Sequence, residues 1–214
     1  MHGTQNFRCL QGRANFIFGL VPGKQKIVVL HLLRAWSIAR RYMVTNGFDG
    51  ALTMLGMLTG FYSSGIADLH IAISACLGAA IALFISGVSS AYLSEKAERE
   101  HELRGLEQAL VDDLQDSDYG QASRYLPIFV ALVNGLSPLL LSLVILSPLY
   151  LAVRGYTLFF PPFINAIILG FVCLFFLGIF LGKIGKTFWL WSGLRTLIIA
   201  AVTVAIILFL ERFI

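Results

Sequence analysis

The sequence predicts an all-α, polytopic membrane protein with five transmembrane helices, the N-terminus cytoplasmic and the C-terminus outside. Three observations predict the class. Mean hydropathy is +0.80, with 57% of the 214 residues hydrophobic and 13% charged, which lies outside the range of ordinary soluble domains. The apolar residues gather into five runs, each near the roughly 20 residues a helix needs to cross a bilayer. These runs are continuously apolar rather than alternating, which favours helices over a β-barrel.

In order, the spans are read as Tyr42–Ser64, Leu69–Tyr92, Tyr125–Tyr150, Leu158–Gly182 and Leu190–Phe213. The first two are separated only by the tight Ser63–Asp68 turn and form a hairpin over 42–92. Residues 1–41 form a cytoplasmic N-terminal segment in which Lys24–Arg41 reads as a basic amphipathic helix. Such a helix suits the inner membrane surface, drawn by anionic lipid. Residues 93–124 form an acidic helical connection, and 125–214 hold spans three to five. The N-terminus lacks a signal peptide's short apolar core and cleavage site, so the first span is expected to act as its own insertion signal.

Orientation follows from the sixteen Lys and Arg residues, of which fourteen fall on one side of this arrangement. Only Arg154 and Arg212 fall on the other. The crowded side is cytoplasmic by the positive-inside rule. The net charge of +4 therefore reflects topology and implies no nucleic acid. Cys9, Cys76 and Cys173 are scattered without CxxC spacing, which indicates neither a disulfide framework nor a zinc site. No Ser/His/Asp set, phosphate loop or closed metal site appears, so neither an enzyme nor a resident cofactor is expected.

Nine of the twelve acidic residues lie between Glu95 and Asp118; the others are Asp49, Asp68 and Glu211. Asp49 stands out because it falls inside the first span. A carboxylate there costs roughly 2.5–3.5 kcal/mol on insertion scales, which fits either ion or proton handling or a structural acid that pairs with a neighbouring helix or caps a broken turn at Asn46-Gly47. Lying about two turns from Arg41, it is expected below the inner interface rather than at the midplane. Thr45, Asp49, Thr53 and Met57 recur at intervals of four, a stripe of hydroxyl, carboxylate, hydroxyl and thioether. Oxygen with soft sulfur suits Fe²⁺ or Mn²⁺ better than Mg²⁺ or Ca²⁺.

Gly56 and Gly60 form a GxxxG spacing on the first span, and Gly78, Ala79, Ala82, Ser86, Gly87, Ser89 and Ser90 give the second its own small stripe. Such faces permit close helix approach in lipid. They fit either two tightly packed helices or the flanks of a polar pathway. Glu95, Glu98 and Glu102 share one face of the connection. They fit either a cytoplasmic metal entrance or a solvated helix paired with Lys96, Arg99 and Arg104. Asp112–Asp118 is no calcium loop, lacking the turn glycine and the closing glutamate.

The run Arg40-Arg41-Tyr42-Met43-Val44-Thr45-Asn46-Gly47-Phe48-Asp49-Gly50 resembles the opening of the vacuolar iron transporter family. The likeness continues at Ser86–Ser94, through Leu126-Pro127 to Pro148, and at Gly178–Lys183 followed by Ser192–Thr196. It covers about residues 38–214 and identifies a short, prokaryotic-type member lacking the large cytoplasmic metal-binding domain. The resemblance implies export of a divalent metal, Fe²⁺ or Mn²⁺, in exchange for protons. Together with the Gly56/Gly60 spacing it implies a homodimer meeting through span one, while the absence of a targeting segment and the short loops suggest a prokaryotic plasma membrane. Gly87 and Ala91 depart from it, standing where the family has Met and Glu. They leave open a second reading, a membrane scaffold or regulatory protein that keeps the fold without transport.

Overall fold

The computed structural model describes residues 23–66, 68–110, 118–157 and 159–213. Residues 1–22, Cys9 among them, and 111–117, which hold most of the Asp112–Asp118 run, lie outside the described residues. The described chain forms α1 Gly23–Ser63, α2 Leu69–Leu110, α3 Asp118–Val153, α4 Pro162–Ile184 and α5 Trp189–Glu211, with no strand among the described residues.

Four helices, α2 to α5, are long and apolar enough to cross a membrane, over Leu69–Gln108, Arg124–Val153, Pro162–Ile184 and Trp189–Glu211. Their outward faces agree: Ile168, Val172 and Phe176 on α4, and Ile198, Val202 and Ile206 on α5, are exposed. Apolar belts of that extent are a liability in water and natural against lipid. The chain is an integral membrane protein.

Helix α1 is not apolar enough by the same measure, because Asn46, Asp49 and several Thr and Gly residues dilute it. Its position supplies the reason. It packs against α3, α4 and α5, and its Met54, Leu55 and Leu58 are fully buried. A helix packed against protein on several sides need not be apolar all round, although Thr45 and Asp49 lie on a face that stays exposed. The basic segment expected as a separate surface helix is continuous with it: Gly23–Ser63 is one helix of 41 residues, about 60 Å long. No break falls at Arg40–Arg41.

The expected hairpin exists as a connection but not as a packed pair. Consecutive α1 and α2 touch only lightly, whereas α2 packs along α3, and α3 packs along α1. The close approach on α1 comes from other glycines than those expected. A Cβ at Gly50 would lie 2.7 Å from Pro138 Cα, and one at Gly47 would lie 2.8 Å from Ser137 Oγ. At Gly60 it would meet nothing within 4 Å, and at Gly56 only the tip of Ile207, at 3.4 Å. On α2, Gly87 is buried against Gly135, while Gly78, Ala82, Ser86, Ser89 and Ser90 are exposed.

Prolines shape α3. Pro138 and Pro148 lie inside the helix and have no N–H for the carbonyls four residues earlier, those of Asn134 and Val144. Both carbonyls find other donors: the Asn46 amide reaches Asn134 O at 3.5 Å, and Ser147 Oγ donates to Val144 O at 2.7 Å. Re-satisfying freed carbonyls is what allows proline inside a membrane helix.

Helices α1, α3 and α4 end alike. A left-handed residue follows the helix, at Gly65 (φ 71°), Gly155 (φ 84°) and Lys186 (φ 52°). The next N–H then bonds back five residues: Ile66 to Phe61 O at 3.1 Å, Tyr156 to Leu151 O at 3.1 Å and Thr187 to Gly182 O at 3.0 Å. This is the Schellman stop, in which glycine is the usual left-handed residue. Asp68 caps α2, accepting from the His70 N–H at 2.8 Å, and Pro162 opens α4, where a missing N–H costs nothing.

Candidate functional site

The depth of Asp49 follows from its neighbours. On α1, Gly47 meets Leu177 and Leu55 meets Gly170, so α4 runs antiparallel beside it. Farther along, Gly56 meets Ile207 and Ser64 donates to Glu211 Oε1 at 2.8 Å, so α5 runs parallel. Gly50 abuts Pro138, near the centre of the Arg124–Val153 span. Asp49 is therefore level with the middle of α3 and α4, deeper than its distance from Arg41 suggests.

Thr45 and Asp49 are exposed, and Thr53 is half-buried. The structure thus brings these three onto one open face of α1. Thr45 Oγ1 donates to Arg41 O at 3.1 Å and Thr53 Oγ1 to Asp49 O at 2.7 Å. Each hydroxyl spends its proton on the backbone four residues back. What it can offer outward is oxygen lone pairs, which suit a cation. Met57 departs from the stripe, packing against the core formed by Met54, Leu55 and Leu58.

The acids of the connection are not gathered as one face. Glu95 and Arg99 are buried, Glu98 is exposed, and Glu102 lies between these extremes. Arg99 bridges the first and last, with Nη2 3.6 Å from Glu95 Oε2 and Nη1 2.5 Å from Glu102 Oε2. Among the described residues no three His, Cys, Asp or Glu side chains stand close enough to hold a metal ion. Within one chain, Glu95 and Glu102 pair with Arg99, and Glu98 lies on the solvated side. The departures on α2 also gain a physical reason. A Cβ at Gly87 would lie 3.1 Å from Gly135 Cα, and Ala91 is 3% exposed. The close approach of α3 leaves little room for a side chain at Gly87, and Ala91 is buried.

A polar knot that sequence reasoning missed lies inward of Asp49. Asn134, 2% exposed, accepts at Oδ1 from the Asn46 amide and donates through Nδ2 to Gly87 O at 2.7 Å. Ser137 Oγ donates to Met43 O at 2.6 Å. Three helices are tied at one level. The available signal was an asparagine four residues before a proline in an apolar span, where the proline frees that asparagine's own carbonyl.

Compared with known proteins, the chain is 32% identical over 173 residues to an uncharacterized protein of Methanocaldococcus jannaschii, covering 79% of this chain and 86% of the archaeal one. The chain belongs to the family of that archaeal protein. At most about a fifth of this family member lies outside the match, so the alignment takes in most of the helical bundle. No family model matches the chain, and no solved structure matches it.

Proposed function

We propose that the protein is a five-span membrane transporter that moves Fe²⁺ or Mn²⁺ out of the cytoplasm in exchange for protons, working as a homodimer joined along α1. The observation that carries this reading is Asp49, an exposed carboxylate level with the middle of the bundle. Facing lipid it would cost roughly 2.5–3.5 kcal/mol, so it belongs against water, an ion or another polar surface. Among the described residues no side chain of its own chain reaches the carboxylate. A second copy related by a two-fold axis would bring a second Asp49 and two more pairs of threonine oxygens. Two facing carboxylates hold a shared proton more readily than isolated ones. A divalent cation entering between them would displace that proton, giving exchange.

A fifth span is supported by α1 running beside the mid-lengths of α3 and α4 and parallel to α5. The placement of fourteen Lys and Arg residues against two supports a cytoplasmic N-terminus. An archaeal relative agrees with a prokaryotic plasma membrane. The resemblance at Arg40–Gly50 supplies the metal class. The second reading, a non-transporting scaffold, is favoured by Gly87 and Ala91, and by the lack of any three-ligand cluster among the described residues of one chain.

Proteoliposomes enclosing a metal-sensitive dye test the proposal. Wild type should pass Fe²⁺ or Mn²⁺ with an opposing proton flux. Asp49→Ala and Asp49→Asn should slow it by at least roughly ten-fold, equivalent to about 1.4 kcal/mol. Unchanged transport in both variants would remove Asp49 from the pathway, and no transport of any divalent metal by wild type would favour the scaffold.

A further inference from the structure

Lys186 is the anomaly among the helix stops. At the equivalent left-handed position α1 and α3 use Gly65 and Gly155, whereas α4 uses a lysine at φ 52°. A Cβ makes that conformation unfavourable, so a lysine there calls for a reason beyond turning the chain. Charge near a membrane end can be supplied by any position in a loop, so topology alone does not demand this one.

Its surroundings suggest the reason. Lys183 lies in the last turn of α4 and is exposed, as are Lys186 and Arg195. Gly182 is pressed against Ser192 and Trp189, which holds the two helices together beside the turn. Arg195 sits more than a turn inside α5, yet its guanidinium lies 5.7 Å from the ring centroid of Trp191, four residues back. The side chain is therefore bent towards the turn that joins the helices, as arginines do when they snorkel. There is no Asp or Glu between Asp118 and Glu211. Among the described residues, none of the three cations meets a carboxylate. Phe188, Trp189 and Trp191 are exposed around them, as aromatic side chains are at a bilayer interface.

We propose that Lys183, Lys186 and Arg195 form a site at the joined end of α4 and α5 for the phosphate of an anionic phospholipid. A free phosphate offers the same charge. A lipid is the better occupant because Arg195 belongs to the membrane-crossing part of α5 and the rim is aromatic. The site does not depend on transport.

Native mass spectrometry and thermal unfolding of the full chain in neutral detergent test it, with phosphatidylglycerol, phosphatidylcholine and inorganic phosphate as probes. Phosphatidylglycerol should remain bound and raise the unfolding midpoint, while phosphatidylcholine should do neither. Lys186→Gly relieves the backbone and should fold at least as well, yet bind phosphatidylglycerol about five-fold more weakly, as expected for one cation lost near an anionic headgroup. Lys183→Gln with Arg195→Gln should erase the preference, whereas Arg154→Gln, at the far end of the bundle, should not change it. Equal phosphatidylglycerol binding by wild type and Lys186→Gly would overturn the site. So would a midpoint shift that inorganic phosphate reproduces in full.

Discussion

Asn46 and Asn134 show how one residue type solves a problem that proline creates. Pro138 leaves the Asn134 carbonyl without its helical donor, and the Asn46 amide lies 3.5 Å from that oxygen. A buried acceptor left without a partner costs about 1–3 kcal/mol, although side-chain hydrogen bonds between membrane helices average nearer 0.6 kcal/mol. Asn46→Ala is therefore expected to destabilise the protein by about 1 kcal/mol in a denaturant titration in mild detergent. Pro138→Ala restores the missing N–H while keeping the Cα and Cβ atoms that Gly50 packs against. If the freed carbonyl is the cause, Asn46→Ala should cost measurably less in the Pro138→Ala background. Equal costs in the two backgrounds would place the effect in side-chain packing alone.

At the level of whole helices, glycines divide into those that set a crossing and those that leave a face open. Gly50 meets the backbone of Pro138, and Gly135 meets the backbone of Phe84 and Val88; backbone cannot step aside as a flexible side chain can. Gly50→Ala should thus force α1 and α3 apart at a cost of about 1–3 kcal/mol, seen as a lower unfolding midpoint. Gly60→Ala should leave the midpoint of the single chain unchanged. The apolar helices α2 to α5 are legible in the sequence through hydropathy, and so is the tight Ser63–Asp68 turn, whereas the stops after α3 and α4 are not. Neither the partner of each helix nor the glycines at the crossings could be read, because hydropathy reports burial in lipid or protein without distinguishing them. The first span shows this from the other side. It reads as a fifth apolar run of membrane length, yet it is the least apolar of the five, and it is also the helix packed against most of the others. Asp49 was legible as an outlier in type, whereas its depth required the registers of α3 and α4. Ideal four-residue spacing drifts 40° per step, which carries Met57, the fourth member of the stripe, towards the core it packs against.

Considered as a whole, the molecule has apolar faces suited to lipid on α4 and α5 and one face suited to neither lipid nor its own core. That face carries Thr45 and Asp49, and Gly60, nearer the far end of α1, is also without a neighbour within 4 Å. A polar stripe near small residues suits a second helix, since a glycine lets backbones approach while the polar groups pair across the contact. A two-fold axis along α1 would place each position opposite its own copy. Single cysteines introduced at position 45 or 60, in a chain from which Cys9, Cys76 and Cys173 have been removed, should then cross-link to a dimer under mild oxidation. Cysteines at Val172 or Ile206, on lipid-facing sides of α4 and α5, should stay monomeric under the same treatment. Bridging requires Cα atoms no more than about 7 Å apart, so cross-linking at both α1 positions would fix the partner helix along the stripe. The reverse pattern would move the interface to the outer helices and leave Asp49 facing something other than its own copy.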